Sequence, residues 1–301
     1  MQFFYVYKPL AHPEMNNYVS PFSIEERLMH VAEAKRRLGS SVTWLADTMD
    51  NVYHDTMGNT PNSELVLDSE GIVVARRAWS DPAALRADLE RIVGAVDKPT
   101  RVADLDLPAQ PPIPTVAKGI VPRVPPPPNA LPMEIEPQTT GTDIPFYAKL
   151  RAEGTPELFA TGKGTMYIGF HLDPLYRVHW NNEVDPVEYR ITASDGVTVT
   201  PAEGVALDPE EPADADPREF LVQIDAEPNQ TLDLRVQYFA CDDALTFCIP
   251  VRQDYKLRLA RDVHHGWSTR TGADGGLTPN YPDRIRRNMG GMGGLGPAGS
   301  E

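Results

Sequence analysis

Hydrophobic and polar positions alternate most cleanly in the last third of the chain. Leu232, Leu234, Val236 and Tyr238 share one parity, and Asp233, Arg235 and Gln237 share the other. Val251, Tyr255, Leu257 and Leu259 then alternate with Arg252, Asp254, Lys256 and Arg258. A repeat of two marks a strand with one buried face, and two such runs joined by a short polar segment predict an antiparallel hairpin. The N-terminal stretch has another rhythm. Phe3–Tyr7 reads as a short apolar strand, and Ser23 with Glu26 three residues on is a capping box. Ile24, Leu28, Val31 and Leu38 follow at helical spacing, and Val42–Ala46 is expected as a buried strand. Glu64–Leu67 and Ile72–Ala75 flank the turn Asp68–Gly71. Pro82 opens a helix through Val93 with Leu85, Leu89, Ile92 and Val93 on one face.

Thirty prolines divide these two rhythms. They concentrate between Lys98 and Pro145, with Pro111-Pro112 and the run Pro125–Pro128. Such density excludes helix and central strand and predicts an extended polyproline II tether. From Val263 the chain runs into Met289-Gly-Gly-Met292-Gly-Gly, which has too little apolar surface to offset its ordering entropy. The expected organisation is therefore an α/β domain over 1–97, a Pro-rich linker over 98–143, an antiparallel β domain over 144–262, and a flexible Gly/Met-rich tail over 263–301.

Charge removes some classes of function. A net charge of −15 argues against a nucleic-acid partner, whose phosphates demand a basic face. No apolar run approaches the roughly 20 residues of a membrane span. Met1–Lys8 lacks the basic start and apolar length of a signal peptide. No cofactor motif stands out, and none is expected.

The chemistry on offer is sulfur chemistry. Cys241 and Cys248 are the two cysteines of the chain, and they fall at the mouth of the predicted hairpin loop, near facing positions. There a disulfide has suitable reach. Three states stay open at this point: two buried thiols, a static staple, or a couple that is made and broken. Asp242 and Asp243 beside Cys241 disfavour its thiolate, which makes Cys241 a poor attacking nucleophile and suits a disulfide attacked by a partner's thiolate. Trp180, Tyr238 and Phe247 are candidate caps that shield the sulfur pair. The histidines are weaker candidates. His171, His179, His264 and His265 could join the cysteines in a soft copper or zinc site, yet no spacing matches a zinc motif. His171 is placed on the polar face of a strand over Met166–Leu172. Thr60-Pro61 precedes a strand and is a candidate cis-proline.

The run Val236–Val251, with Tyr238 before the first cysteine, Phe247 immediately before the second and Pro250 just after it, resembles the cysteine hairpin of the N-terminal domain of the DsbD family of thiol–disulfide interchange proteins. The loop is one residue longer than that family's usual one. The resemblance spans about residues 144–262 and implies an immunoglobulin-like sandwich. It also implies a thiol–disulfide oxidoreductase role for Cys241 and Cys248, a thioredoxin-like redox partner, and a periplasmic or other extracytoplasmic setting. Over residues 1–95, Val6–Pro13, Glu26-Arg27, Asp47–Asn51, Pro61 and the Asp68–Gly71 turn resemble the thioredoxin-like iodothyronine deiodinase family, with His12 matching a family histidine. Members of that family carry their nucleophile upstream of the strand matching Phe3–Tyr7, and no cysteine here precedes Cys241. The resemblance thus implies an incomplete thioredoxin-like domain without deiodinase activity. Its open sheet edge would invite a second copy or a larger assembly, as would the C-terminal tail.

Overall fold

The computed structural model describes residues 1–10, 18–57, 62–106, 117–138, 144–262, 269–271 and 277–279. His12, Pro61, His264 and His265 lie outside the described residues, as does most of the expected tail. The chain is mixed α/β, with most of its strands in one large antiparallel sheet and few helices. Among the described residues no helix is long and apolar enough to cross a membrane. The described residues form two compact units: 1–10 with 23–106, and 18–22 with 117 onward.

The first unit runs β1 (Phe4–Tyr7), α1 (Ile24–Leu38), β2 (Thr43–Ala46), α2 (Val52–Met57), β3 (Glu64–Leu67), β4 (Val73–Arg77) and α3 (Pro82–Val93). β1 and β2 pair in parallel, and β3 and β4 form an antiparallel hairpin closed by the Asp68 side chain. Ser23 caps α1 by accepting from the Glu26 amide, and Gly39 closes it in the left-handed conformation. Which face is buried departs from the sequence pattern. Ile24, Leu28 and Leu38 are exposed, whereas Glu26, Arg27, His30 and Val31 are buried. β2 is not the buried strand expected, since Leu45 is exposed, and no residue of α3 is buried. The two small sheets cover little, so the buried centre here is polar. The Arg27 guanidinium donates to the carbonyls of Asp47 and Thr48 and to Asn51 Oδ1. The Asp47 carboxylate in turn accepts from the amides of Thr48, Tyr53 and His54, tying down the start of α2.

The second unit contains β5 (Leu131–Gln138), β6 (Ala148–Gly154), α4 (Pro156–Thr161), β7 (Lys163–Leu172), β8 (Val178–Asn181), β9 (Glu188–Ala193), β10 (Thr198–Thr200), β11 (Glu203–Val205), β12 (Ala213–Asp214), β13 (Arg218–Asp225), β14 (Thr231–Asp242) and β15 (Cys248–Arg261). Strand order is β10-β13-β7-β6-β5-β15-β14-β8-β12, with β9 also on β14 and β11 on β9. β5 joins the two halves: its start pairs with β6 and its remainder with β15. Met166, Ile168 and Phe170 from one half and Leu232, Leu234, Val236, Leu257 and Leu259 from the other lie in one hydrophobic cluster. The expected parity of β14 and β15 is the observed one. Two tyrosines lock this hairpin to β6. Tyr238 Oη accepts from the Ala148 amide at 3.0 Å and donates to Gln253 Oε1 at 2.9 Å, while Tyr255 Oη donates to the Ala148 carbonyl at 3.2 Å.

This unit begins well before the expected boundary at residue 144. Residues 131–138 are a strand of the sheet, and residues 117–124 are fastened to it rather than hanging as a free tether. The buried Asp216 carboxylate accepts from four successive amides, Lys118, Gly119, Ile120 and Val121. Glu219 takes a two-pronged bond from Arg123 at 2.7 and 2.8 Å and a third from the Val124 amide. Proline density does not exclude a central strand here: β5, with Pro132 and Pro137, lies between β6 and β15. Nor does it reveal that the remaining amides find carboxylates about a hundred residues away. Beyond 262, Thr269–Thr271 pairs antiparallel with Leu277–Pro279.

Asp216→Ala should therefore strand up to four backbone donors and release the 117–121 segment. We expect a loss of about 2–4 kcal/mol, since a hydrogen bond to a charged group contributes roughly 1.5–3 kcal/mol and neighbouring bonds do not add fully. Urea unfolding measures this, together with new proteolysis at Lys118 or Arg123. An unchanged midpoint and cleavage pattern would mean the clamp is incidental.

Candidate functional site

The sulfur pair lies where β14 hands over to β15. Cys241 and Cys248 are joined in a disulfide, with Cα atoms 4.0 Å apart, and they face each other in the ladder. The next rung outward carries the Asp242 amide to Phe247 carbonyl bond. Cys241 and Cys248 therefore occupy a non-hydrogen-bonded rung, the closer of the two spacings in an antiparallel ladder. The two cysteines differ in exposure: Cys248 is exposed, whereas Cys241 is 4 % exposed.

A third strand completes the site. β8 runs along the other edge of β14, with His179 directly opposite Cys241 and Trp180 opposite Ala240. Parity then sorts the side chains. Trp180 and Tyr238 point into the core, ring to ring at 5.2 Å, and are 2 % and 3 % exposed. They do not cap the sulfurs, because positions 238 and 240 share the inner face and 241 takes the outer one. His179 and Asn181 share that outer face with the cysteines. The Asn181 amide donates to Cys248 Sγ at 3.4 Å. His179 Nδ1 lies 3.2 Å from Asp243 Oδ1, and because a carboxylate only accepts, Nδ1 carries the hydrogen.

β8 is held in place by buried polar bonds. The Trp180 indole donates to the Asp216 carbonyl at 2.7 Å. Arg218, fully buried, makes a forked bond to Asp214 and also donates to Asn182 Oδ1, the residue next to Asn181. Burial alone would raise the Asp214 carboxyl, but the Arg218 and Asn182 hydrogen bonds outweigh it and hold the group below its ordinary value.

The loop between the cysteines is built on Asp242. Its carboxylate accepts from the Phe247 and Thr246 amides at 2.8 and 2.6 Å and from the Thr246 hydroxyl at 2.7 Å. These bonds, the Phe247 amide foremost, keep its pKa below the usual carboxylate range. The Asp243 amide donates to the Arg177 carbonyl, tying the loop back to the start of β8. Neither aspartate is thus simply a free repelling charge beside Cys241.

The sulfurs open onto a pocket of about 430 Å³ whose walls are His179, Asn181 and Glu183 on one side, Pro212 and Ala213 on another, and Leu245–Phe247 from the loop. Phe247 is the one aromatic of the three candidates that borders the sulfurs, with its ring 6.0 Å from that of Tyr147. Leu245 stands at the lip, 84 % exposed and at φ 58°. Sequence gives Asp243 only as a charge beside Cys241 and does not single out Asn181 or Leu245. The step of two from His179 to Asn181 would have flagged one of them, had the β8–β14 register been known.

His171 sits elsewhere, on the outer face of β7. Its Nε2 lies 3.4 Å from Tyr167 Oη, and Tyr167 donates to Glu219 at 2.6 Å. Gly169 makes this meeting possible, since a Cβ there would come within 2.3 Å of Tyr167 Oη and 2.8 Å of His171 Nε2. His171 therefore does not join His179 beside the cysteines, and among the described residues no three potential metal ligands cluster. No protein-family model matches the chain, and no curated protein and no solved structure matches it either.

Two outcomes follow from the loop. Asp242 is depressed in the folded state, so its contribution is complete above the unfolded carboxylate value of about 3.9 and fades as pH falls through the lower native value. The protection of the Thr246 and Phe247 amides from exchange, taken relative to their unfolded rates, should be complete at pH 5 and be lost only below pH 4; a loss of protection between 5 and 4 would contradict this. A leucine held in the left-handed region carries a cost of roughly 1–2 kcal/mol. Leu245→Gly should accordingly stabilise the protein by about 0.5–1 kcal/mol in urea unfolding, the flexible unfolded glycine taking back part of the gain.

Proposed function

We propose that the chain is a thiol–disulfide interchange protein that uses Cys241 and Cys248 as its working couple. In this reading the second unit is an immunoglobulin-like sandwich of the DsbD N-terminal type, acting outside the cytoplasm on a thioredoxin-like partner. The first unit is an incomplete thioredoxin-like domain that serves association rather than catalysis. The observation that carries the reading is the placement of an exposed sulfur, Cys248, at the mouth of an open pocket on a hairpin tip. Support also comes from the Asn181 N–H on that sulfur, which stabilises a thiolate there once the bond is opened. A solvent-facing leucine in a disfavoured backbone conformation at the same lip supplies an apolar contact for an incoming protein, the kind of local cost that functional sites retain.

The exchange runs through a mixed disulfide. A partner thiolate approaches Cys248, its electron pair forms the new S–S bond, and the electrons of the old bond leave on Cys241. The partner's second thiolate then attacks its own sulfur in the mixed disulfide and releases Cys248. The partner ends oxidised and the Cys241/Cys248 pair reduced, and the reverse sequence hands the electrons on.

Cys241→Ser should leave a mixed disulfide trapped on Cys248 with a thioredoxin-like protein whose second cysteine is replaced by serine and whose remaining thiol is first activated as an aryl disulfide, the aryl thiolate leaving as Cys248 attacks. Cys248→Ser should trap at least tenfold less, because Cys241 is buried, and the double variant none. Persistent exchange in the double variant sinks the reading. The burial of Cys241 favours a second reading, a structural staple whose loop closure stabilises by about 2–3 kcal/mol. The midpoint potential separates the two: below about −300 mV the bond is structural, and above it the couple is exchangeable.

A further inference from the structure

We infer that His179, held by Asp243, carries the proton of Cys241 each time the Cys241–Cys248 bond opens or closes. The inference rests on the interchange reading and adds the group that manages its proton. Attack at the exposed Cys248 leaves the electron pair on Cys241, a buried sulfur in sequence contact with Asp242 and Asp243. A buried thiolate is an unfavourable product, so a proton has to reach it. Asn181 cannot supply one: an amide N–H stabilises a thiolate but does not ionise in the working range. Its bond in any case goes to the other sulfur.

His179 is placed to do so. It is the cross-strand partner of Cys241, on the same face of the sheet and on the wall of the same pocket. Directly opposed side chains in neighbouring strands have Cβ atoms about 4.5–5.5 Å apart. The Asp243 carboxylate fixes the hydrogen on Nδ1 and orients the ring, which leaves Nε2 as the nitrogen that exchanges a proton. The other charged groups nearby are Glu183 on the wall of the same pocket, Arg177 just before β8, and Asp242, which is engaged with the loop amides.

The step balances as follows. The partner thiolate gives its electron pair to Cys248 Sγ, the Cys248–Cys241 bond breaks, and its pair goes to Cys241 Sγ. The imidazolium Nε2 proton passes to that sulfur. The products are a mixed disulfide on Cys248, a neutral Cys241 thiol and a neutral imidazole still bonded through Nδ1–H to Asp243. In the reverse direction Nε2 removes the proton and the Cys241 thiolate closes the disulfide. The two sulfurs are thus served differently, Cys248 by a fixed dipole and Cys241 by a group that titrates.

The test uses the full chain and dithiothreitol as the reductant, with free thiols trapped by alkylation and counted by mass. The rate constant is expressed per dithiothreitol thiolate from pH 5.5 to 9. For the wild type it should rise as pH falls through the range where imidazole gains its proton. His179→Gln should flatten that profile and lower the rate constant roughly tenfold at pH 6, less than usual for a positioned acid because a thiolate is already a competent leaving group. The two proteins should converge at pH 9. Asp243→Asn, which keeps the imidazole but loses its orienting charge, should fall between them. A His179→Gln profile with the wild-type slope overturns the inference while leaving interchange intact. A wild-type disulfide that resists dithiothreitol across the whole range instead overturns the interchange reading itself.

Discussion

Each residue of a β-strand can face only one of two ways, and the second unit depends on that constraint at β14. Its even positions from Leu232 to Ala240 enter the core, and its odd positions face out. Cys241 is odd and therefore leaves the core one residue after Ala240. The same rule on β8 sends Trp180 inward and His179 and Asn181 outward, and on β15 it puts Cys248 outward beside Cys241. A slip of one residue in the β8–β14 pairing would bury the histidine and expose the tryptophan, and one in the β14–β15 pairing would turn Cys248 inward. The core apolar residues, by fixing the register, thus also fix which polar groups meet the sulfurs.

Register alone would leave β8, a four-residue strand near the sheet edge, loosely seated. It is held by buried polar bonds instead: the Trp180 indole on the Asp216 carbonyl and the Asp214–Arg218–Asn182 set. The same Asp216 gathers four amides of the preceding Pro-rich segment through its carboxylate. One short acidic stretch, Asp214–Glu219, therefore organises both the covering segment and the strand that lines the sulfur pocket. Buried carboxylates are costly unless every lone pair is matched, and here amide and guanidinium donors match them.

Much of this was legible in the sequence, and the failures share a cause. The strands flanking Cys241 and Cys248, the N-cap at Ser23 and the helix from Pro82 to Val93 follow from local periodicity and local end signals, and the structure has them. What periodicity cannot supply is the identity of a neighbour. The apolar stripe of α1 was expected to be its buried face, yet Arg27 is buried because the polar loop after β2 offers three acceptors to its guanidinium, and His30 is buried against Tyr7 of β1. Trp180 was expected over the sulfurs, because closeness to His179 in sequence does not show which face it takes. The roles of Asn181 and Asp243 depend on a pairing across about sixty residues.

The position of the sulfur pair also separates chemistry from stability. Closing a loop this short stabilises a protein by only about 2–3 kcal/mol in the chain-entropy model. The hairpin beneath has independent anchors: Tyr238 and Tyr255 on Ala148, Gln253 on Tyr238, and five alternate residues of β14 in the core. The tip has its own as well, in the Asp242 carboxylate and the bond from Asp243 to Arg177. None of these passes through sulfur. Opening the disulfide therefore removes one rung's restraint from a ladder that other bonds hold on both sides. A couple meant to cycle requires that independence, and a couple meant only to staple would gain nothing from it.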